Sequence, residues 1–202
     1  TNVNLSLSPA TRSISGTFTN AITGGVLPGV QVRLESATGL FALGYSDDQG
    51  LFNVPVTAGF WSPELEQSAL SALGYVTPQQ LSGIDTSGGS VADLVAAFQP
   101  AKALFYGNFR DGSSNGIAGL AFSARNQSQT LSGVGLTDAT GYYTVGVIAD
   151  TWNIGPDNRA LTQRGILASS TNATIADGQA VRIYFTSRTV TAHLTGQVFD
   201  NF

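Results

Sequence analysis

The chain has 202 residues, of which only 11% are charged and 24 are glycine, and its formal net charge is −4. This charge and a pI near 4.7 exclude the dense basic face that a nucleic-acid partner needs. Because the chain has no cysteine, it has no disulfides, thiol nucleophiles or thiolate metal sites. With 42% hydrophobic residues but no run of about 18 apolar ones, it is expected to form packed cores without membrane insertion.

The chain contains an internal repeat with a period of 91 residues. The stretch SDDQGLFNVPVTAGFW at 46–61 and the stretch TDATGYYTVGVIADTW at 137–152 have the same order of residue types. The pairs at this separation are Asp47 and Asp138, Gly50 and Gly141, Trp61 and Trp152, Gly16 and Gly107, and Gly74 and Gly165. The period predicts two modules of about 90 residues.

The alignment of the repeat divides the chain into four segments. We place the first module at 13–102 and the second at 103–191. Residues 1–12 align with the end of the first module and are predicted to be the closing strand of a preceding module, or an end strand. Residues 192–202 align with the start of a module and are predicted to be the opening strand of a following one, or a donor strand. The chain is therefore expected to be a piece of a longer array, or a subunit whose end strands are completed by neighbours.

Apolar residues alternate with a period of two along both modules, which is typical of β-strands. In chain order the alternating runs are Ile14 to Phe18, Val30 to Leu34, Phe52 to Val56, Ile117 to Phe122, Tyr143 to Val147 and Val181 to Phe185. Short turns that contain glycine, asparagine or aspartate separate these runs. About seven strands in each module predict an all-β fold of two tandem β-sandwiches.

One stretch of the first module also fits a helix. Ser62, Pro63 and Glu64 precede LEQSALSAL and are typical of a helix start, with an N-cap, a proline in the first turn and a first-turn acid. A short helix or helical turn is therefore an alternative to a strand at this place.

Two acidic turns precede the strands at Phe52 and Tyr143. In each, an aspartate stands three residues before a glycine, at Asp47 and Gly50 and again at Asp138 and Gly141. Such an aspartate caps backbone N–H groups of a turn, and the glycine adopts a positive φ. Calcium is the alternative, but it needs about six to eight oxygen ligands, and the second copy offers a single aspartate. We therefore predict structural turns and no metal.

Three aromatic residues are candidates for an interaction surface. Trp61 and Trp152 come at the end of a strand, where a large aromatic closes a sandwich, although a sugar-stacking role is the alternative. Tyr142 stands beside an inward-facing tyrosine and is predicted to point outward.

No catalytic residue and no cofactor is predicted. His193 is the only histidine, so a triad, dyad or imidazole metal site lacks its parts. Asn126 and Asn172 begin glycosylation sequons, which matter only if the source organism glycosylates them.

The order of motifs resembles a known family. A Gly-x-Phe strand is followed by GVLPGVQVRLES, SDDQGLFNVPVTAGFW and ALGYVTP, and the second module keeps the series as YGNF, GIAGLAFSA, TDATGYYTVGVIADTW and QRGILAS. This series resembles the carboxypeptidase regulatory-like family, whose relatives include transthyretin-like domains and the B-type repeats of Gram-positive adhesins. The resemblance implies Ig-like or transthyretin-like sandwiches that act as rods and spacers. Some adhesin relatives form a Lys–Asn isopeptide bond; Lys102 lies outside the core pattern, so no such bond is expected.

These observations favour a structural repeat of a bacterial extracellular or cell-surface protein that acts as a stalk, spacer or filament subunit. The alternative is a carbohydrate- or protein-binding module, and an enzyme is disfavoured. The expected partners are neighbouring modules or subunits through the end strands, with carbohydrate or a surface protein as a further candidate.

Overall fold

The structure is a computed structural model that describes residues 9–79, 81–192 and 195. The predicted end strands at 1–12 and 192–202, and His193, lie largely or wholly outside the described residues. The described chain is all-β with two short helices, so the predicted fold class is confirmed.

Eight strands and one helix precede the middle of the chain. They are β1 (Arg12–Asn20), β2 (Gln31–Ser36), β3 (Phe41–Tyr45), β4 (Leu51–Val56), β5 (Phe60–Leu65), α1 (Gln67–Ala72), β6 (Thr77–Pro78), β7 (Ile84–Asp85) and β8 (Val91–Phe98). Seven of these strands form the first sandwich, with one sheet in the order β4-β1-β8 and the other in the order β3-β2-β5-β7.

The second half of the chain repeats this order of elements. They are β9 (Ala103–Arg110), β10 (Ala121–Asn126), β11 (Leu131–Leu136), β12 (Tyr142–Val147), β13 (Asp150–Pro156), α2 (Asn158–Gln163), β14 (Ile166–Leu167), β15 (Thr171–Ile175), β16 (Ala180–Arg182), β17 (Phe185–Thr186) and β18 (Arg188–Thr189). One sheet has the order β12-β9-β16, with β17 also on β9, and the other has the order β15-β13-β10-β11-β6. Strands β14 and β18 form a separate pair.

Each sandwich encloses its own hydrophobic core. The first core contains Ile14, Phe18, Phe52, Trp61 and Phe98, together with buried valines and leucines of β2, β4, α1 and the loop before β2. The second core repeats this pattern around stacked rings of Phe122 and Tyr143, whose centroids are 4.1 Å apart. Alternate residues of each core strand are buried, as the period of two predicts.

The first and last strands of each sandwich pair in parallel. In the first sandwich β1 pairs with β8 from Ile14 opposite Val91 to Asn20 opposite Phe98. In the second, β9 pairs in the same direction with β16 and β17. Glycine is needed at the close approach, because a β-carbon at Gly16 would overlap the backbone oxygen of Leu94. Gly107 meets Ile183 in the same way.

The helix of the first sandwich begins later than the sequence suggested. Ser62 and Glu64 lie in β5, where they pair with β2, and α1 follows with Glu66 as its N-cap. The short helix that the sequence offered as an alternative is therefore present, but its N-cap is Glu66 and not Ser62, since antiparallel pairing with a core strand outweighs the capping preference at 62–64. Helix α2 lies 91 residues after α1 and has Asp157 as its N-cap.

Candidate functional site

The two acidic turns have one geometry. Asp47 Oδ1 accepts hydrogen bonds from the amides of Gln49 and Leu51, each 2.9 Å long, and Gly50 has a φ of +72°. Asp138 Oδ1 accepts from the amides of Thr140 and Tyr142 at 2.8 and 3.0 Å, and Gly141 has a φ of +77°. Both carboxylates therefore face the backbone of their own turn. The described part of the chain contains no group of three or more side chains suited to a metal ion.

The carboxyl group of Asp138 has a lowered pKa. The largest cause is the hydrogen bond that the Thr140 hydroxyl donates to Oδ1 at 2.8 Å, and the amides of Thr140 and Tyr142 add to it. All three donors favour the ionised form. The turn at Asp138 is therefore held best when the carboxylate is charged.

The tryptophans do not belong to an interaction surface. Trp61 is 2% exposed and Trp152 is fully buried, and each indole N–H donates to a backbone oxygen four residues earlier, Thr57 at 3.0 Å and Ile148 at 2.9 Å. The proposed surface of two tryptophans and Tyr142 is therefore wrong for both tryptophans, because a buried ring cannot stack on a ligand. They fill equivalent places in the two cores.

Tyr142 lies in a patch of exposed aromatic residues on the outer face of the sheet β12-β9-β16. Its ring centroid lies 6.5 Å from that of Tyr106, and the guanidinium of Arg182 lies 5.2 Å from the centre of the Tyr106 ring. Tyr184 extends this group and is 64% exposed. We call Tyr106, Tyr142, Arg182 and Tyr184 the tyrosine patch. The sequence analysis names Tyr142 but not Tyr106. The signal for Tyr106 is strand alternation, because it stands between inward-facing Phe105 and Gly107 and must therefore face outward.

The second candidate site is the place where the two sandwiches meet. Strand β6, which follows the first sandwich's helix, pairs antiparallel with β11 of the second sandwich, with Thr77 opposite Ser132 and Pro78 opposite Leu131. Val76 is fully buried in the second core, although it precedes β9 by many residues. We call α1, β6 and β11 the junction.

Hydrogen bonds fix the junction on both sides. The Ser71 hydroxyl accepts from the Val134 amide at 3.0 Å, and the Gln79 amide donates to the Thr130 oxygen at 2.8 Å. The residues that connect the two sandwiches also form backbone hydrogen bonds. The Ala101 amide donates to the Gly74 carbonyl oxygen, and the Lys102 amide donates to the Val147 carbonyl oxygen. The connection at 99–102 is therefore ordered backbone and not a free linker. A cavity of about 950 Å³ lies beside α1 and β11, with Ser68, Ala72 and Gly135 among its lining residues.

Two other residues from the sequence analysis have structural partners. The Lys102 ammonium lies 3.6 Å from an Asp177 carboxylate oxygen, and both side chains are 47% exposed, so they form a surface ion pair. Asn126 is 4% exposed and donates to Ser128, Thr130 and Asp150, which makes its side chain inaccessible to glycosylation. Asn172, the other sequon residue, is exposed. Neither of the two described helices is long and apolar enough to cross a membrane.

Comparison with known proteins gives similarity to solved structures alone. No protein-family model and no curated protein matches the chain. The carboxypeptidase regulatory-like resemblance therefore stays a prediction, whereas the β-sandwich that it implies is present.

The similar structures include several bacterial pilins. The chain is 12% identical to GBS52, the minor pilin of Streptococcus agalactiae, with 93% of this chain and 100% of that chain covered and a TM-score of 0.41. It is 10% identical to the shaft pilin spaA of Lactobacillus rhamnosus GG, with 90% and 99% covered and a TM-score of 0.33. It is 11% identical to the Bacillus anthracis TIE protein, covers 87% of itself but only 34% of that chain, and has a TM-score of 0.40. These values are too low to support a functional argument.

The geometry of the Asp138 turn predicts a specific change in pKa. Substitution Thr140→Val removes the hydroxyl donor and should raise the pKa of Asp138 toward the ordinary aspartate value, measured by NMR titration of its side-chain carboxyl carbon. In the native protein the contribution of the charged Asp138 to stability is complete above the pKa that this aspartate has in the unfolded chain, and it is lost as the pH falls through the lowered pKa. In the variant this contribution should be smaller, and its loss should be complete at a higher pH.

Asp111 provides the matched control for this substitution. Its pKa is also lowered, chiefly by the Asn115 side chain, and the Thr140 hydroxyl donates to Asp138 instead. The pKa of Asp111 should not change in Thr140→Val. An unchanged pKa at Asp138, or equal changes at both aspartates, would contradict the assigned role of the hydroxyl.

Proposed function

We propose that the chain is a structural, tension-bearing part of an extracellular or cell-surface protein, acting as a stalk, spacer or filament subunit. The observation that supports this role most directly is the parallel pairing of the first and last strands of each sandwich. The chain enters the first sandwich at the start of β1 and leaves it at the end of β8. Tension between the two ends therefore pulls these neighbouring strands in opposite directions along their length.

Such a load shears the ladder, by which we mean the row of hydrogen bonds between the paired strands β1 and β8, instead of opening it from one end. One hydrogen bond contributes only about 0.5–1.5 kcal/mol net, so bonds that break one after another resist little force. In shear, the six residue pairs between β1 and β8 must separate together. The second sandwich loads β9 against β16 and β17 in the same manner. Both sandwiches are thus suited to resist tension along the chain.

The junction supports the same role. A flexible linker would let the sandwiches swing, but here β6 extends the sheet of the second sandwich and Val76 enters its core. The connection therefore transmits load through packed side chains and paired backbone. The cysteine-free, hydroxyl-rich and weakly charged composition also suits a bacterial surface protein. The geometry of the described acidic residues, in turns, caps and surface ion pairs, gives no support to an enzymatic role.

The tension-bearing role predicts that unfolding force depends on the pulling direction. Because the chain has no cysteine, engineered cysteines can attach handles at chosen sites. Handles at Thr11 and Gln99 load the β1–β8 ladder in shear. Handles at Ala21 and Gln99 lie at the same end of that ladder, since the Ala21 amide donates to the Phe98 oxygen, and should unzip it.

Single-molecule force measurements on these two variants provide the comparison. Because unfolding under force is governed by the barrier to unfolding, the first sandwich should unfold at a clearly higher force with the shearing handles. Equal forces in the two directions, with both variants folded, would exclude the proposed load-bearing ladder.

A second candidate function rests on the tyrosine patch. Three tyrosines and an arginine lie together on one sheet face, and their partly exposed rings suit stacking on a sugar ring or on a protein segment. The first sandwich has Leu51 at the position of Tyr142, 91 residues earlier, so the tyrosine patch is specific to the second sandwich. A binding role would therefore belong to the second sandwich alone.

This second function predicts that Tyr106→Ala and Tyr184→Ala abolish retention of the protein by cell-wall polysaccharide in affinity electrophoresis. Leu51→Ala is the matched control, because Leu51 is 46% exposed on the corresponding sheet of the first sandwich. Equal retention of the wild-type protein and the tyrosine variants, or no retention of any of them, would argue against a carbohydrate site at the patch.

A further inference from the structure

The segment of the first sandwich that forms the junction has a close counterpart in the second. Helix α2 lies 91 residues after α1, and β14 and the two residues after it lie 91 residues after Tyr75, Val76 and β6. Leu70 and Leu161, at equivalent positions of the two helices, are each 1% exposed. Gly74 and Gly165 follow the helices with φ values of +83° and +65°. The two segments therefore share their backbone course.

The two segments differ in what covers them. Val76 is fully buried against the second sandwich, whereas Leu167, its equivalent, is 55% exposed. On one side β14 pairs with β18, much as Tyr75 bridges to Pro100 beside β6. Within 9–79, 81–192 and 195, no strand pairs with the other side of β14. The second sandwich thus exposes the kind of surface that the first sandwich buries at the junction.

The first sandwich exposes the complementary surface. Strand β3 is the equivalent of β11 and lies at the edge of its sheet, where no strand of the described residues pairs with its outer side. Its outward side chains Phe41, Leu43 and Tyr45 are 58%, 52% and 58% exposed. Its sequence, FALGY, contains neither a charge nor a proline, the residues that normally protect a free edge strand. An exposed apolar edge of this kind marks an interaction site.

We propose that Ala168 and Ser169, the two residues that follow β14, pair antiparallel with the start of β3 in a second copy of the chain, in the register that β6 and β11 use within one chain. Adding 91 to the β6 positions and subtracting 91 from the β11 positions places Ala168 opposite Phe41 and Ser169 opposite Leu40. The interface is heterologous, so it leaves a free β3 at one end and a free segment at 168–169 at the other and extends head to tail. This inference deepens the proposed structural role and rests on it for its biological meaning.

Side chains at the equivalent positions fit this pairing. In the junction the Ser71 hydroxyl accepts from the amide of Val134 on β11. Thr162 keeps a hydroxyl at the position of Ser71, and its Oγ1 donates to Asn158 and retains lone pairs that can accept from the Leu43 amide. The exposed Leu167 packs beside half-buried Leu40, as Val76 packs in the second core.

The helix surfaces differ in a way that matches their partners. Ser68 of α1 lies across a cavity from Leu136, and the equivalent residues are Arg159 on α2 and Tyr45 on β3. In the proposed interface the larger side chains of Arg159 and Tyr45 would fill the space that the cavity leaves at the junction, with a guanidinium against an aromatic ring, which is a favourable combination. The helix residue and the strand residue are thus both larger at the proposed contact than at the junction.

Association between separate chains should be weaker than the junction. Within one chain, residues 99–102 hold β6 beside β11 and give that contact a high effective concentration, which separate copies lack. Disulfide trapping detects such a contact, and a chain without cysteine allows each pair of positions to be tested alone. Facing residues of paired strands are close enough for a disulfide.

The test mixes one protein that carries Ala168→Cys with another that carries Phe41→Cys at high concentration under mild oxidation. The expected result is a shift of the product from 20.9 kDa to twice that mass, in a cross-linked species that contains one chain of each variant. Thr77→Cys with Ser132→Cys in one chain is the positive control, because these residues already face each other across the junction. Ala168→Cys mixed with Tyr45→Cys is the out-of-register control.

The proposal is overturned if the Ala168 and Phe41 variants, both folded by their thermal melting, give no more mixed dimer than the Tyr45 pair or than either variant gives alone. It is also overturned if the junction control forms its internal disulfide while the mixed pair stays at 20.9 kDa. The pulling experiment tests the tension-bearing role independently, since it uses single chains. A chain that resists shear but fails to cross-link would retain the structural role without this interface.

Discussion

The parallel pairing of first and last strands is the interaction on which each sandwich depends. It joins the residues most distant in sequence within a module, and it brings Ile14 and Phe18 of β1 over the strands of the opposite sheet. The second sandwich repeats this arrangement with Phe105 and Phe109. Glycine at 16 and at 107 allows the last strand to approach so closely. Closure of the core and resistance to tension therefore come from the same ladder.

The junction extends this logic from one sandwich to the next. Helix α1 belongs to the first sandwich by sequence and buries Leu70 in its core, yet the strand after it completes a sheet of the second. A module is thus stabilised partly by its neighbour. The same segment recurs at α2 and β14, where it is partly exposed, and an uncovered counterpart of β11 exists at β3. If the contact between β6 and β11 recurs between the segment after β14 and β3 of another copy, it produces the extended architecture that we propose.

Local sequence signals predicted the parts of the fold that local physics determines. The alternation around Phe52 and Tyr143 and the aspartate and glycine of each acidic turn depend on a few adjacent residues. The tryptophans were expected at the end of a strand, but each lies near the start of the next one, at Trp61 in β5 and Trp152 in β13. The helix start at Ser62 was misread because pairing of β5 with β2 is a long-range effect. The burial of Val76 in the second core and the grouping of Tyr106 with Arg182 were equally hidden, since both depend on which strands become neighbours.

Amide hydrogen exchange of the native protein tests the central claim most directly. If the parallel ladder closes each sandwich, the paired amides of β1 and β8, and of β9 and β16, should be among the slowest to exchange and should do so only through global unfolding of their sandwich. The β2–β3 hairpin, whose outer edge is unpaired in the described chain, should exchange faster. Rapid exchange along β8 or β16, while β2 and β3 remain protected, would contradict the account.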